Sequence, residues 1–382
     1  MQPRSYVALA LILSSLLGVL ALGGCGTSNF TICPLIGCCG PTNDTCAAPQ
    51  YLFALGLNGQ IDVFPISASN GTPGSPISTS GPANSVGMAV MNNQFLYVSN
   101  PQLSLSGPLG SIDAWSVNLG TGTLTTISGS PFSLGALSEP GGLAADNAAQ
   151  VLYVGDVGRI DALKSDANGV LTTVIGSPFP AGLNSYLIVD PQNRFLFASD
   201  DIPPGNVLAY TIDPTTGALS AVAGSPFATI PGSVTNTQPG QIVVDSTGNF
   251  VYTVLTATNQ IAGFKITSPS GALAPVTGSP FSAGNRPLFL ATVNNLLYVS
   301  NTSDATISGY TIDPASGVLT ALAASPFSIF TNPLATSFDG AYLYTTGPNG
   351  LTTFSINPQT GALTQVGTPI PYGGASVLTF VQ

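Results

Sequence analysis

Between residues 51 and 382 the apolar positions fall in short runs, and none recurs at a helical interval. Residues 185–224 show the pattern: SYLIVD (185–190), RFLFASD (194–200), NVLAYTID (206–213) and GALSAVAG (217–224). Each run is rich in β-branched and aromatic residues and bounded by turn formers, which predicts four strands. DPQN (190–193) divides the first pair and DPTTG (213–217) the last pair. There Asp starts the turn, Pro presets φ, and a late Gly accepts a left-handed backbone. The same unit recurs, marked in its second run by YLFA (51–54), YVSN (97–100), YVGD (153–156), FASD (197–200), YTVL (252–255), YVSN (298–301) and YTTG (344–347). Successive landmarks lie 46, 56, 44, 55, 46 and 46 residues apart. Seven four-stranded units of this period predict an all-β fold, a seven-bladed β-propeller with four antiparallel strands per blade.

The first unit begins at its second strand, whereas after the seventh unit the chain continues into a spare strand, ASVLTFVQ (375–382). The surplus strand matches the missing one, so the C-terminal strand is expected to complete the first blade and close the ring. A second phrase, GSPF, stands at 129–132, 176–179, 224–227 and 278–281, with looser copies GSPI (74–77), ASPF (324–327) and GTPI (367–370). It reads as construction: Gly and Ser end the outer strand, Pro prevents further ladder bonding, and Phe132, Phe179, Phe227, Phe281 and Phe327 turn in between blades.

Ahead of the repeats the pattern changes. Arg4 precedes the apolar run YVALALILSSLLGVLAL (6–22), which has signal-peptide length and falls short of the about 20 residues of a spanning helix. LGGC (22–25) then resembles the lipobox of bacterial lipoproteins, implying cleavage before Cys25 and its acylation. The expected organisation is a signal peptide over 1–24, a lipid-anchored Cys-rich stalk over 25–50 and the propeller over 51–382. The implied location is the bacterial cell envelope, held to a membrane through the lipid. Cys33, Cys38, Cys39 and Cys46 remain, an even number compatible with two disulfides in an oxidising compartment, with the pairing open.

Composition narrows the chemistry. Charged residues make up 6 % of the chain and the net charge is −10, with only six Lys and Arg, so no basic stripe for nucleic acid exists. The absence of histidine removes the usual general base near neutral pH and most metal sites, and neither a cofactor nor a metal is called for.

The two YVSN copies, with TIDPTTGALSAVAGSPF (211–227) and TIDPASGVLTALAASPF (311–327), resemble the lactonase-type seven-bladed propellers, which overlap with the YVTN-repeat proteins. The resemblance covers 51–382 and implies the fold. It further implies kinship with 6-phosphogluconolactonases and carboxymuconate cycloisomerases, which open or close lactone rings. Cycloisomerase-type members use a His, Glu and Arg cluster at the channel mouth, and this chain has no His and a single Glu.

Counting back seven residues from the Asp that ends an inner strand locates the mouth: Asp146 gives Glu139, Asp245 gives Gln238 and Asp339 gives Asn332. Arg286 is the sixth unit's equivalent, and Pro follows all four. Glu139 and Arg286 are the candidate catalytic pair, as base and as oxyanion or carboxylate clamp. Gln238, Asn332, Asp156, Arg159, Asp200, Asn206 and Asn301 are candidate ligand-binding residues of the same face. Asp146, Asp190, Asp213, Asp245, Asp313 and Asp339 are assigned to turns. The sequence reads as an envelope binding or scaffold protein, its partner a small molecule or an envelope protein; the alternative is a lactonase-like hydrolase. Cys25→Ser is expected to move the protein from the membrane fraction to the soluble one; unchanged fractionation contradicts the anchor.

Overall fold

The computed structural model describes residues 49–56, 58–101, 110–135, 138–183, 186–329 and 333–381. All cysteines, the signal segment and Asn332 lie outside the described residues. Every regular element among the described residues is a β-strand.

The strands form seven antiparallel sheets. Blade five is representative: Pro239–Val244 is innermost, followed outward by Phe250–Leu255, Gln260–Thr267 and Ala272–Pro275. The inner strands of successive blades neighbour one another, and that of blade seven neighbours that of blade one. Blade one takes its inner strand from the C-terminus, as Val377–Val381 pairs antiparallel with Gln50–Leu55 from Leu55↔Val377 to Tyr51↔Val381. Ser376 reinforces the junction by donating its N–H (2.7 Å) and its hydroxyl (2.9 Å) to the Leu55 carbonyl.

Side chains alternate across each strand, and both faces of every sheet are apolar in the middle. The result is seven hydrophobic layers, one in each gap between blades. A tyrosine from the second strand of one blade crosses its layer to the next blade's outer turn. Tyr97, Tyr153, Tyr252, Tyr298 and Tyr344 are fully buried, and their hydroxyls donate to the carbonyls of Gly169, Gly217, Gly317, Gly361 and Gly71 at 2.6–3.0 Å. The last of these spans the closure between blades seven and one. Burial pushes the Tyr97 hydroxyl up to about 12, and shifts the other four in the same direction. The accepting turn must hold glycine. Gly317 has φ +75°, and a Cβ there would lie 2.3 Å from the Phe250 ring.

The GSPF phrase does something other than end the outer strand. In blade two the outer strand runs over Leu124–Thr126, breaks, and resumes as Phe132–Gly135 on the same third strand, Gly110–Val117. At the break Ser130 Oγ accepts the Ala114 N–H (2.9 Å), replacing a backbone acceptor. Ser177, Ser225, Ser279 and Ser325 do the same for Ala162, Ala209, Gly263 and Gly309 at 2.9–3.0 Å. The phrase is therefore a kink that keeps a mid-strand amide satisfied. The five phenylalanines pack against the inter-blade layers, as expected.

The turn aspartates behave as assigned. Asp146 accepts the amides of Ala148 and Ala149, Asp190 those of Arg194 and Phe195, and Asp213 those of Thr215 and Thr216.

A chain ending at Gly374 would leave blade one's second strand with an unpaired edge and remove Leu378 and Phe380 from the layer against blade seven. Together with Val377 this burial contributes on the order of 5 kcal/mol, comparable to the whole margin of a domain. The truncated protein is expected to aggregate or lose cooperative melting by circular dichroism; a melt matching the full chain contradicts closure.

Candidate functional site

One face of the ring is built from the loops that enter the inner strands and the loops between second and third strands. These loops carry the sequence-derived candidates.

On blade three, Val151–Ser165 forms the second and third strands as one tight hairpin turning at Gly158, with φ +77°. Asp156, 1 % exposed, lies beneath this hairpin. Its carboxylate accepts the Glu139 N–H (2.8 Å), the Ser138 hydroxyl (2.7 Å) and the Val157 N–H (2.7 Å). Arg159 Nη2 pairs with Asp156 Oδ2 at 2.8 Å, while its Nε donates to Asp161 at 3.0 Å. Burial pushes the Asp161 carboxyl up, against the opposing pull of Arg159. Burial also works against the Arg159 charge, but the facing carboxylates outweigh it and hold the guanidinium above its ordinary value. Asp156 and Arg159 are thus committed to holding the loop that presents Glu139. Glu139 itself is exposed, and its carboxylate makes no ion pair among the described residues.

On blade six, Arg286 is exposed and has φ +55°, a left-handed backbone that a long side chain adopts only under constraint. The constraint comes from both neighbouring loops. Asn259 of blade five accepts the Arg286 N–H (2.9 Å), and Thr302 donates both its N–H and its hydroxyl to the Arg286 carbonyl (3.0 Å each). Asn301, fully buried, accepts the Gly284 N–H (3.1 Å) and donates to Thr306 and Ser308. Asp304 accepts the Asn285 N–H (2.6 Å) and side-chain amide, and these bonds lower its carboxyl pKa.

Gln238 repeats the Arg286 geometry on blade five, exposed with φ +48°, its N–H held by Asn236 (2.9 Å) and its carbonyl by the Thr256 N–H (3.1 Å). On blade four, buried Asp200 accepts from Ile202 N–H (3.1 Å) and from Asn206 (3.3 Å). The structure therefore sorts the candidates. Asp156, Asp200, Asn206 and Asn301 are engaged in shaping loops, while Glu139, Gln238 and Arg286 present side chains to solvent. Glu139 and Arg286 stand on blades three and six, across the mouth, and make no ion pair with each other. Among the described residues no group of three or more His, Cys, Asp or Glu could hold a metal ion.

The family model described as "Lactonase, 7-bladed beta-propeller" matches residues 223–331. A putative 6-phosphogluconolactonase from Bacteroides uniformis superposes with a TM-score of 0.73 at 16 % identity, covering 87 % of this chain and 99 % of that one. The periplasmic gluconolactonase of Pseudomonas aeruginosa gives 0.69 at 20 % identity, covering 87 % and 99 %. The fold is that of the lactonase-type seven-bladed propellers. No curated protein matches the sequence.

Within this lactonase-type propeller the rim of the mouth is uneven. Val86, Val157, Ile202 and Val234, on the loops of blades two to five, are exposed aliphatics. Arg159 and Arg286 are the basic residues described on this face, and Arg159 is engaged by Asp156 and Asp161.

One feature of the chemistry went unread in the sequence. Ile-Asp-Val (61–63), Ile-Asp-Ala (112–114) and Ile-Asp-Ala (160–162) place Asp62, Asp113 and Asp161 at the same position of the third strand in blades one to three. The repeated tripeptide was the available signal. Asp113 bonds Asn100 (2.9 Å), and burial pushes its carboxyl up.

Asp156→Ala strands the buried Ser138 hydroxyl and several loop amides, and is expected to cost about 3 kcal/mol. Glu139→Ala should change stability by no more than about 0.5 kcal/mol. Denaturant unfolding of the two variants checks the division between loop scaffold and presented side chain.

Proposed function

We propose that this protein hydrolyses lactones at the channel mouth, with Glu139 and Arg286 as the working pair. The observation that carries the reading is Arg286: an exposed cation held in a left-handed backbone by residues of two blades, on the face whose blade-three loop carries the chain's single glutamate. Backbone held in a sparsely populated region is characteristic of functional sites. Relatedness to the lactonase-type propellers, two of whose solved members are named as lactonases, supports the same reaction class.

The chemistry is ester hydrolysis. A water attacks the ring carbonyl while the Glu139 carboxylate accepts its proton, and Arg286 stabilises the developing oxyanion. Collapse of the tetrahedral adduct breaks the ring C–O bond, and Glu139 returns its proton to the leaving alkoxide, giving the open hydroxy acid. Arg286 is the one described cation on this face not engaged by carboxylates, which is too little for a phosphate as well as an oxyanion. Together with the aliphatic rim, this favours an unphosphorylated lactone.

A second reading, a binding protein of the cell envelope, is favoured by the exposure of Glu139, a solvated carboxylate on a surface loop. In either reading we place the protein outside the cytoplasm, tethered through Cys25. Gln50 begins its strand at the end away from the mouth loops.

The test is acid release by purified protein from a panel of neutral and phosphorylated lactones. Turnover of a neutral lactone is expected to fall roughly 10²–10⁴-fold in Glu139→Gln and roughly 10²–10³-fold in Arg286→Ala, with melting unchanged. Activity undiminished in both variants moves the site elsewhere, and absence of turnover across the panel leaves the binding reading.

A further inference from the structure

A cavity of about 610 Å³ opens at the seam between blades seven and one, on loops of the same face but of blades other than those carrying Glu139 and Arg286. One wall comes from blade one, with Asn58, Gln60, Asp62 and Ser78; the other is Tyr372 and the loop running on to Gly374 into the closing strand. At its base sits Asp62, 2 % exposed. The Gln60 side-chain amide donates to both Asp62 oxygens (2.9 and 3.0 Å), and the Ser78 hydroxyl donates to Oδ1. Burial, the Asp62 charge and a hydrogen bond to Asp62 all push the Tyr372 phenol well above its ordinary value, so it remains a donor. Its ring stands edge-on to Phe64 at 5.7 Å and is fixed in place.

The equivalent carboxylates in blades two and three are likewise bonded within their own blades, Asp113 by Asn100 and Asp161 by Arg159, and it is the neighbouring wall that differs. At the seam the neighbouring wall is a glycine-rich loop. A Cβ added to Gly373 or Gly374 would meet nothing within 4 Å, so the cavity is open above the carboxylate.

The lining decides what fits. It contains a carboxylate, two amides, a hydroxyl, a phenol and the flat faces of Pro76, Pro371 and Tyr372, and no Lys or Arg. An anionic ligand would meet an uncompensated buried carboxylate. A metal ion would find one carboxylate, already hydrogen-bonded, in place of the six or more oxygens that calcium takes. A ring bearing several hydroxyls suits both the paired donors and acceptors and the apolar faces. We infer that the seam between blades seven and one binds a neutral saccharide of one or two units, held by the polar groups of Asn58, Gln60 and Tyr372 that line it, with Asp62 at the base orienting Gln60 and Tyr372. The inference is independent of the reaction proposed at the mouth.

Ligand-observed NMR on the full chain tests it, using glucose, galactose, mannose, N-acetylglucosamine, maltose and cellobiose, with glucose 6-phosphate and glucuronate as charged counterparts. At least one neutral sugar is expected to bind, and its phosphorylated or carboxylated form to bind at least tenfold more weakly. Asp62→Asn should weaken binding about tenfold or more, because Gln60 and Tyr372 lose the carboxylate that orients them. Because Asp62 is buried and its replacement also tests stability, Gly373→Trp serves as the second variant. A Cβ at Gly373 meets nothing within 4 Å, and the indole should fill the cavity and abolish binding without lowering the melting temperature. The proposal is overturned if no neutral sugar binds, if charged counterparts bind as well, if binding survives both substitutions, or if it is lost instead in Arg286→Ala, which would place it at the mouth.

Discussion

Every sheet in this protein is apolar on both faces, and a sheet of that kind has no stable edge position in water. Each blade must be covered on both sides, and the arrangement that achieves this for all seven is a closed ring. The rest follows from that constraint. The C-terminal strand must return to blade one, because otherwise the layer containing Leu52, Phe64 and Tyr344 would be open along the inner edge. The buried tyrosines then fix the spacing. Each hydroxyl must find an acceptor inside an apolar layer, and the next blade's turn glycine supplies a carbonyl where no side chain intrudes. Phe197 occupies the same strand position in blade four without a hydroxyl, and packs within its layer by ring contact alone.

The same economy of charge shapes the mouth. With so few ionic groups, the loops are held by neutral amides and by carboxylates that accept backbone N–H groups. Asp156, Asp200 and Asn301 occupy matching positions at the ends of second strands and perform one job, receiving the amides of an adjacent loop. Of the described candidates, a glutamate on blade three, a glutamine on blade five and an arginine on blade six remain exposed. The left-handed backbone at Gln238 is bonded by Asn236 of its own loop, and that at Arg286 by Asn259 of the adjacent blade.

Much of this was legible in the sequence. Blade number, strand order, turn aspartates and ring closure follow from turn chemistry and β-branched runs, which are local signals repeated seven times. The meaning of GSPF was not legible, because the amide that Ser130 satisfies belongs to Ala114, on the neighbouring strand. Among the candidates that are described, residue type alone could not separate Glu139, which is exposed, from Asp156, which bonds its loop. Asp62 escaped notice because its tripeptide recurs in only three of seven blades, and its setting depends on a loop from the far end of the chain.

The pairing at the seam also has a mechanical meaning. Gln50–Leu55 is hydrogen-bonded along both edges, to Gln60–Ile66 on one side and Val377–Val381 on the other. A pull applied at Gln50 along the axis of this strand would load both ladders in shear. Their bonds must then yield together, whereas a peeling load would break them one at a time. The strand that joins the ring to whatever precedes it is thereby the one placed to resist extraction under tension.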